Sequence, residues 1–135
     1  MQLLPYKFEG EVVRGFGRGG KELGCPTANM DETVVNELPE GLAVGVYYGK
    51  ATFEGKTYSM AMSIGWNPHY QNEKKTMEIH LIDYSGEDFY GRRMSGVILG
   101  FIREMKSFKS LDELKAAIAK DIEVAKRGTV EQGKL

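Results

Sequence analysis

At 135 residues the chain can build one hydrophobic core and has no room for a second of ordinary size, so residues 1–135 are expected to form a single domain. Hydrophobic residues at 41% and charged residues at 27% give a globular composition, while a net charge of -1 and a pI near 6.1 disfavour sequence-independent binding to nucleic acid, which requires a surplus of cations. A single cysteine, Cys25, excludes an intrachain disulfide and points to a reducing, cytoplasmic setting, and neither a leader-like N-terminus nor an apolar run of about 18 residues marks a membrane protein.

Residues 8–14 are predicted to form a strand, weakened by Gly10, that feeds a glycine-rich loop. That loop runs through residues 15–29, GFGRGGKELGCPTAN, and offers bare amides, a lysine, a hydroxyl and a carboxamide along one stretch. Those are groups suited to a nucleotide triphosphate and its cation. Gly15, Gly17 and Gly20 fit the dinucleotide-binding pattern G-x-G-x-x-G, and residues 15–21 fit the start of a P-loop. Both patterns then fail. Glu22 stands where the P-loop needs Ser or Thr, and Gly24 and Pro26 interrupt the helix that either pattern requires.

Residues 44–53 and 56–64 are predicted to form a hairpin turned by Glu54-Gly55, with Tyr58, Met60, Met62 and Ile64 alternating against a more polar face. Gly65-Trp66-Asn67-Pro68 then opens a loop to about residue 75. A further strand is expected over 76–82, with Met77, Ile79 and Leu81 on one face and Glu78, His80 and Ile82 on the other, and another over 94–103. The only convincing helix comes last. Ser110-Leu-Asp-Glu113 has the form of a capping box, Leu111, Leu114, Ile118, Ile122 and Ala125 follow at helical spacing, and Gly128 is the expected stop. Several strands and one terminal helix argue for an antiparallel β-barrel with an appended helix.

Four features could carry chemistry. Thr27 and Asn29 lie two apart, so an extended segment puts both on one face, where their oxygens could reach a hard cation; the same residue types also satisfy local backbone in turns. Glu78 is a carboxylate in mid-strand, which needs a partner or a task if buried and neither if it faces solvent. His80 shares its face, and an ion pair or hydrogen bond to a neighbour on the next strand is open to it. With two histidines and one cysteine at unrelated positions, nothing has the spacing of a zinc site. Trp66 in its loop offers an aromatic surface to a planar ligand, whereas Arg92-Arg93 and residues 103–106 are expected to be solvated cations, with phosphate contact as the lesser alternative.

Taken in order, Gly-x-Val-Val-x-Gly-x-Gly-x-Gly from Gly10, then Leu23-Gly24-x-Pro26-Thr27-Ala28-Asn29, then Ser63-Ile64-Gly65-Trp66-Asn67-Pro68, then Glu78-x-His80, the sequence closely resembles riboflavin kinases. Gly45-Val-Tyr-Tyr-Gly49 and Glu87-Asp-Phe-Tyr-Gly91 extend the likeness over residues 4–127, and the compact length is similar to the monofunctional, eukaryote-type enzymes. The resemblance implies a six-stranded antiparallel Greek-key β-barrel with a C-terminal α-helix. It also implies transfer of the ATP γ-phosphate to the 5′-hydroxyl of riboflavin, giving FMN and ADP. On that basis Gly15, Gly17, Lys21 and Pro26 belong to the ATP site, Thr27 and Asn29 contact the phosphates and a magnesium ion (zinc or manganese being alternatives), and Glu78 is the catalytic glutamate. Arg103, Lys106 and Phe108 fall in the segment that closes over the flavin, where Arg103-Glu-Met-Lys106 lacks the proline of the Arg-Pro-Glu-Lys form in relatives. A monomer acting on small molecules, with no nucleic-acid or membrane partner, is the expected state. Two other classes remain open on the residues alone: a flavin- or nucleotide-binding barrel without catalysis, and an oligonucleotide-binding barrel.

Overall fold

Alternating apolar residues set the architecture. A computed structural model describes residues 3–13, 27–66, 75–84, 91–105 and 107–133, with only the backbone of Thr27 and of residues 129–133. Its strands are β1 (Tyr6–Val13), β2 (Thr27–Met30), β3 (Gly45–Phe53), β4 (Lys56–Trp66), β5 (Lys75–Leu81) and β6 (Arg93–Arg103); its helices are α1 (Glu32–Asn36) and α2 (Leu111–Gly133). The strands close into a barrel in the order β1-β2-β5-β4-β3-β6, every pair antiparallel. The meander β3-β4-β5, flanked by β2 on one side and by the returning β6 on the other, is a Greek key.

One face of each strand fills the barrel. Phe8, Val12, Met30, Phe53, Met60, Met62, Ile64, Met77, Ile79, Leu81 and Ile98 form the core, so the alternation seen in 56–64 and 76–82 does divide inside from outside. Glu54 and Gly55 both adopt positive φ, 50° and 80°, which is the two-residue hairpin geometry that a right-twisted strand pair needs. Gly10, which weakens the first strand as a sequence, is required by packing. A Cβ there would lie 2.2 Å from Val34 Cγ2, so its absence lets α1 dock on β1.

The structure departs from the sequence expectations in four places. Strand β4 continues through Gly65 and Trp66, because their backbones pair with Thr76 and Lys75. Two short elements were not anticipated. Strand β2 has only four residues, too few for a period to show, and α1 is a five-residue helix capped by Asp31, whose Oδ1 accepts from the Thr33 amide at 3.2 Å. Helix α2 runs through Gly128 instead of ending there. Gly128 serves packing: a Cβ on it would meet Tyr48 Cε2 at 2.6 Å, and Tyr48 is wedged from the other side against Gly100. At the start of α2, Ser110 Oγ accepts from the Glu113 amide at 3.2 Å as the capping box requires. Glu113 returns to the amide of Lys109 at 2.9 Å, one residue before the cap.

Candidate active site

The functional face lies outside the barrel wall. Register aligns Asn29 with Glu78, Glu78 with Ser63, Ser63 with Val46 and Val46 with Arg103, a single row crossing β2, β5, β4, β3 and β6. A second row, Thr27, His80, Ala61, Tyr48 and Gly100, runs beside it. Glu78 and His80 stand on the face opposite the core residues Met77, Ile79 and Leu81, as alternation predicts. They are nevertheless mostly covered, with side chains 20% and 11% exposed, and His80 Nε2 lies 3.2 Å from Glu78 Oε1. Asn29 is buried. A solvent-facing Glu78 is thereby excluded.

Cover comes from the connector after β6 and from the first half of α2. Leu111, Leu114, Ile118 and Asp121, spaced to share one helix face, line a cavity of about 790 Å³ together with Met105 and Phe108 from the connector. Its floor includes Asn29, Ser63, Glu78 and His80, and Trp66 stands at the edge, half-exposed, with Lys75 Nζ 5.5 Å from its ring. The apolar stripe of α2 therefore divides in two. Ala125 and Gly128 pack on the barrel, whereas Leu111 remains half-exposed over the cavity, which is where a ligand can supply the missing apolar contact.

Arg103 is not the solvated loop cation that its neighbours in sequence suggest. It ends β6 and grips the buried Asp121 of α2 with both arms of its guanidinium, Nε to Oδ1 at 2.9 Å and NH2 to Oδ2 at 2.7 Å. NH1 donates to the Glu104 carbonyl at 3.2 Å, and the guanidinium lies 5.7 Å from the Phe108 ring. Asp121 was missed from sequence, although one signal was available: a carboxylate three residues after Ile118 and four before Ala125 sits on the apolar face. Arg93 is an exposed strand residue beside Glu9, at 3.4 Å, and Arg92 pairs with Glu54.

Of the residues singled out in sequence, Asn29, Glu78, Arg103 and Phe108 come together around this cavity. Thr27 joins their face through the backbone of β2. Gly15, Gly17, Lys21, Pro26 and Lys106 lie outside the described residues. Ser63, in register with Glu78, is a further polar group on the floor.

A family model described as Flavokinase, riboflavin kinase, matches residues 3–129. The chain belongs to the riboflavin kinase family. It is similar to human riboflavin kinase, 51% identical over 128 residues that span 94% of this chain and 83% of that one. Among solved structures, a riboflavin kinase from Trypanosoma brucei matches with a TM-score of 0.65 at 30% identity, covering 91% of this chain and 78% of that one. A Streptococcus pneumoniae structure titled a macrolide-efflux protein matches with a TM-score of 0.75 at 31% identity; the chain spans 90% of itself there and 38% of that protein. The reaction is therefore ATP-dependent phosphorylation of riboflavin to FMN, performed on a closed six-stranded barrel. No helix among the described residues is long and apolar enough to cross a membrane.

Proposed function

We propose that Glu78 accepts the proton of the riboflavin 5′-hydroxyl as that oxygen attacks the γ-phosphorus of ATP. The new O–P bond forms while the bond to the β,γ-bridging oxygen breaks, ADP departs with that oxygen, and the proton passes to the carboxylate. A primary alcohol is a poor nucleophile while protonated, and a fixed carboxylate within hydrogen-bond reach removes that handicap. The observation that carries this reading is the row Asn29–Glu78–Ser63 on the floor of an apolar-roofed cavity. A carboxylate at 20% exposure acts in a medium where charge and orientation count for more than in bulk solvent.

Asn29 and Thr27, on one face of β2, supply neutral oxygen donors suited to magnesium or manganese more than to zinc. Among the described residues no three of His, Cys, Asp or Glu cluster as metal ligands, so the protein's share of the donor set leaves room for phosphate oxygens and water. When bound, the ion neutralises charge on the β- and γ-phosphates. Gly15, Gly17, Lys21 and Pro26 belong to the ATP site in this reading. The isoalloxazine lies under α2 against Leu111, Leu114, Met105 and Phe108, with Arg103 beside it. The chain works as one domain, monomeric and cytoplasmic, on these two small molecules.

The test is FMN formation from riboflavin and magnesium ATP, followed by chromatography, in the wild type and in Glu78→Gln. The amide keeps the shape and loses the base, so kcat falls by on the order of 10² to 10⁴ with an unchanged denaturation midpoint. Turnover near the wild-type value would refute the assignment.

A further inference from the structure

The proton transfer assigned to Glu78 leaves one buried group without a task. His80 Nε2 lies 3.2 Å from Glu78 Oε1, while its other nitrogen, Nδ1, is fully buried and has no hydrogen-bond partner among the described residues. An ionised carboxylate only accepts, so a hydrogen bond from His80 to Glu78 needs its proton on Nε2. Placing it on Nδ1 would bury an unpartnered N–H and face a bare lone pair toward the carboxylate, a double loss.

Among the described residues His80 is the ion-pair partner recorded for Glu78. The two residues are i and i+2 on β5, so their side chains project to the same face, and the strand holds the imidazole at a fixed height beside the carboxylate. His80 is itself confined, at 11% exposure, with Ala61 as its cross-strand neighbour on β4. Glu78 has three side-chain torsions to fix and no bulky residue directly beside it in its row, where its neighbours are Asn29 and Ser63.

We infer that His80 is a positioning residue for the catalytic carboxylate: its Nε2–H holds Oε1 of Glu78, turning Oε2 to the incoming hydroxyl. This rests on Glu78 being the base. The arrangement separates the two oxygens by function, one anchored by the protein and one left free for substrate. A carboxylate released from that hydrogen bond samples rotamers in which neither oxygen meets the hydroxyl, and misplacement of a reacting group by about 1 Å can cost on the order of 10²-fold.

The experiment measures kcat and KM for both substrates in eight proteins: wild type, His80→Leu, His80→Gln and His80→Asn, and each of these in the Glu78→Gln background. Glutamine carries its amide nitrogen near the position of Nε2, whereas asparagine reaches only to Nδ1. His80→Leu is expected to lower kcat by about 10- to 10²-fold while both KM values change by less than about 3-fold. His80→Gln recovers most of the loss and His80→Asn does not. In the Glu78→Gln background the leucine substitution has almost no further effect, since no base remains to be oriented. Equal losses in both backgrounds, no rescue by glutamine, or turnover of His80→Leu within 2-fold of wild type each overturn the inference while leaving the general-base reading standing. Full activity of Glu78→Gln alone overturns that reading, and the inference with it. Denaturation midpoints of each variant separate misfolding from mispositioning.

Discussion

Replacing Asp121 with asparagine is expected to loosen the roof of the active site and to reveal itself in riboflavin binding more than in turnover. The wild-type carboxylate accepts two charge-assisted hydrogen bonds from Arg103, at 2.9 and 2.7 Å, and is only 4% exposed. In Asp121→Asn one acceptor becomes an NH2 group that opposes a guanidinium N–H, so one bond is lost and the ion pair loses its charge. A hydrogen bond to a charged group contributes about 1.5 to 3 kcal/mol, and removing one member of a fully buried pair costs about 3 to 5 kcal/mol. The upper figure does not apply here. Arg103 retains 23% exposure and lies against the face of Phe108, so part of its charge is accommodated once its partner is gone. The expected loss of stability is therefore about 2 to 3 kcal/mol, read from urea unfolding midpoints at constant m. Because the pair ties the end of β6 to α2 across the cavity, the same change should raise KM for riboflavin by roughly 5- to 20-fold and lower kcat by less than about 3-fold. A cycle with Arg103→Met should give a coupling of at least about 1.5 kcal/mol. Destabilisation below about 0.5 kcal/mol with an unchanged KM would show that the pair neither holds the helix nor shapes the flavin site.

Gly128→Ala should destabilise the protein by about 1 to 3 kcal/mol, although helix propensity alone favours alanine by about 1 kcal/mol, because the new Cβ would meet the Tyr48 ring at 2.6 Å. In a Tyr48→Ala background the substitution should become neutral or stabilising, and a Gly128→Ala protein more stable than its parent would disprove the packing account. Burial lifts the Tyr47 phenol above its ordinary value near 10, and its hydroxyl donates to the Ala43 carbonyl. A raised folded pKa means stability is intact below pH 10 and declines as pH climbs toward the folded value. Tyr47→Phe should lower stability by about 1 kcal/mol at pH 8 and flatten that alkaline decline; equal slopes in the two proteins between pH 9.5 and 11 would contradict it.

Much of the barrel was legible because period-2 alternation is a local signal. Met77, Ile79 and Leu81 had to share a face, and that face had to be the core once Glu78 and His80 occupied the other. The ends of elements were harder. Gly65 and Trp66 resemble a loop in sequence and pair as strand because Thr76 and Lys75 lie opposite them. Gly128 resembles a helix stop and is instead a contact with Tyr48, 80 positions earlier in the chain. Such roles depend on partners that no local window contains.

The same division holds at the active site. The residue types of the chemistry, a mid-strand carboxylate and two oxygen-bearing side chains on alternate positions, were fixed by the sequence pattern, since alternation alone assigns Glu78 to one face of its strand and Thr27 with Asn29 to one face of theirs. That those faces adjoin was decided by the pairing of β2 with β5, a contact between segments about 50 residues apart in the chain, set by barrel closure. The pairing of Arg103 with Asp121 likewise arose only when α2 and the sheet were assembled, because the cost of an unpaired polar group is incurred only where folding removes water.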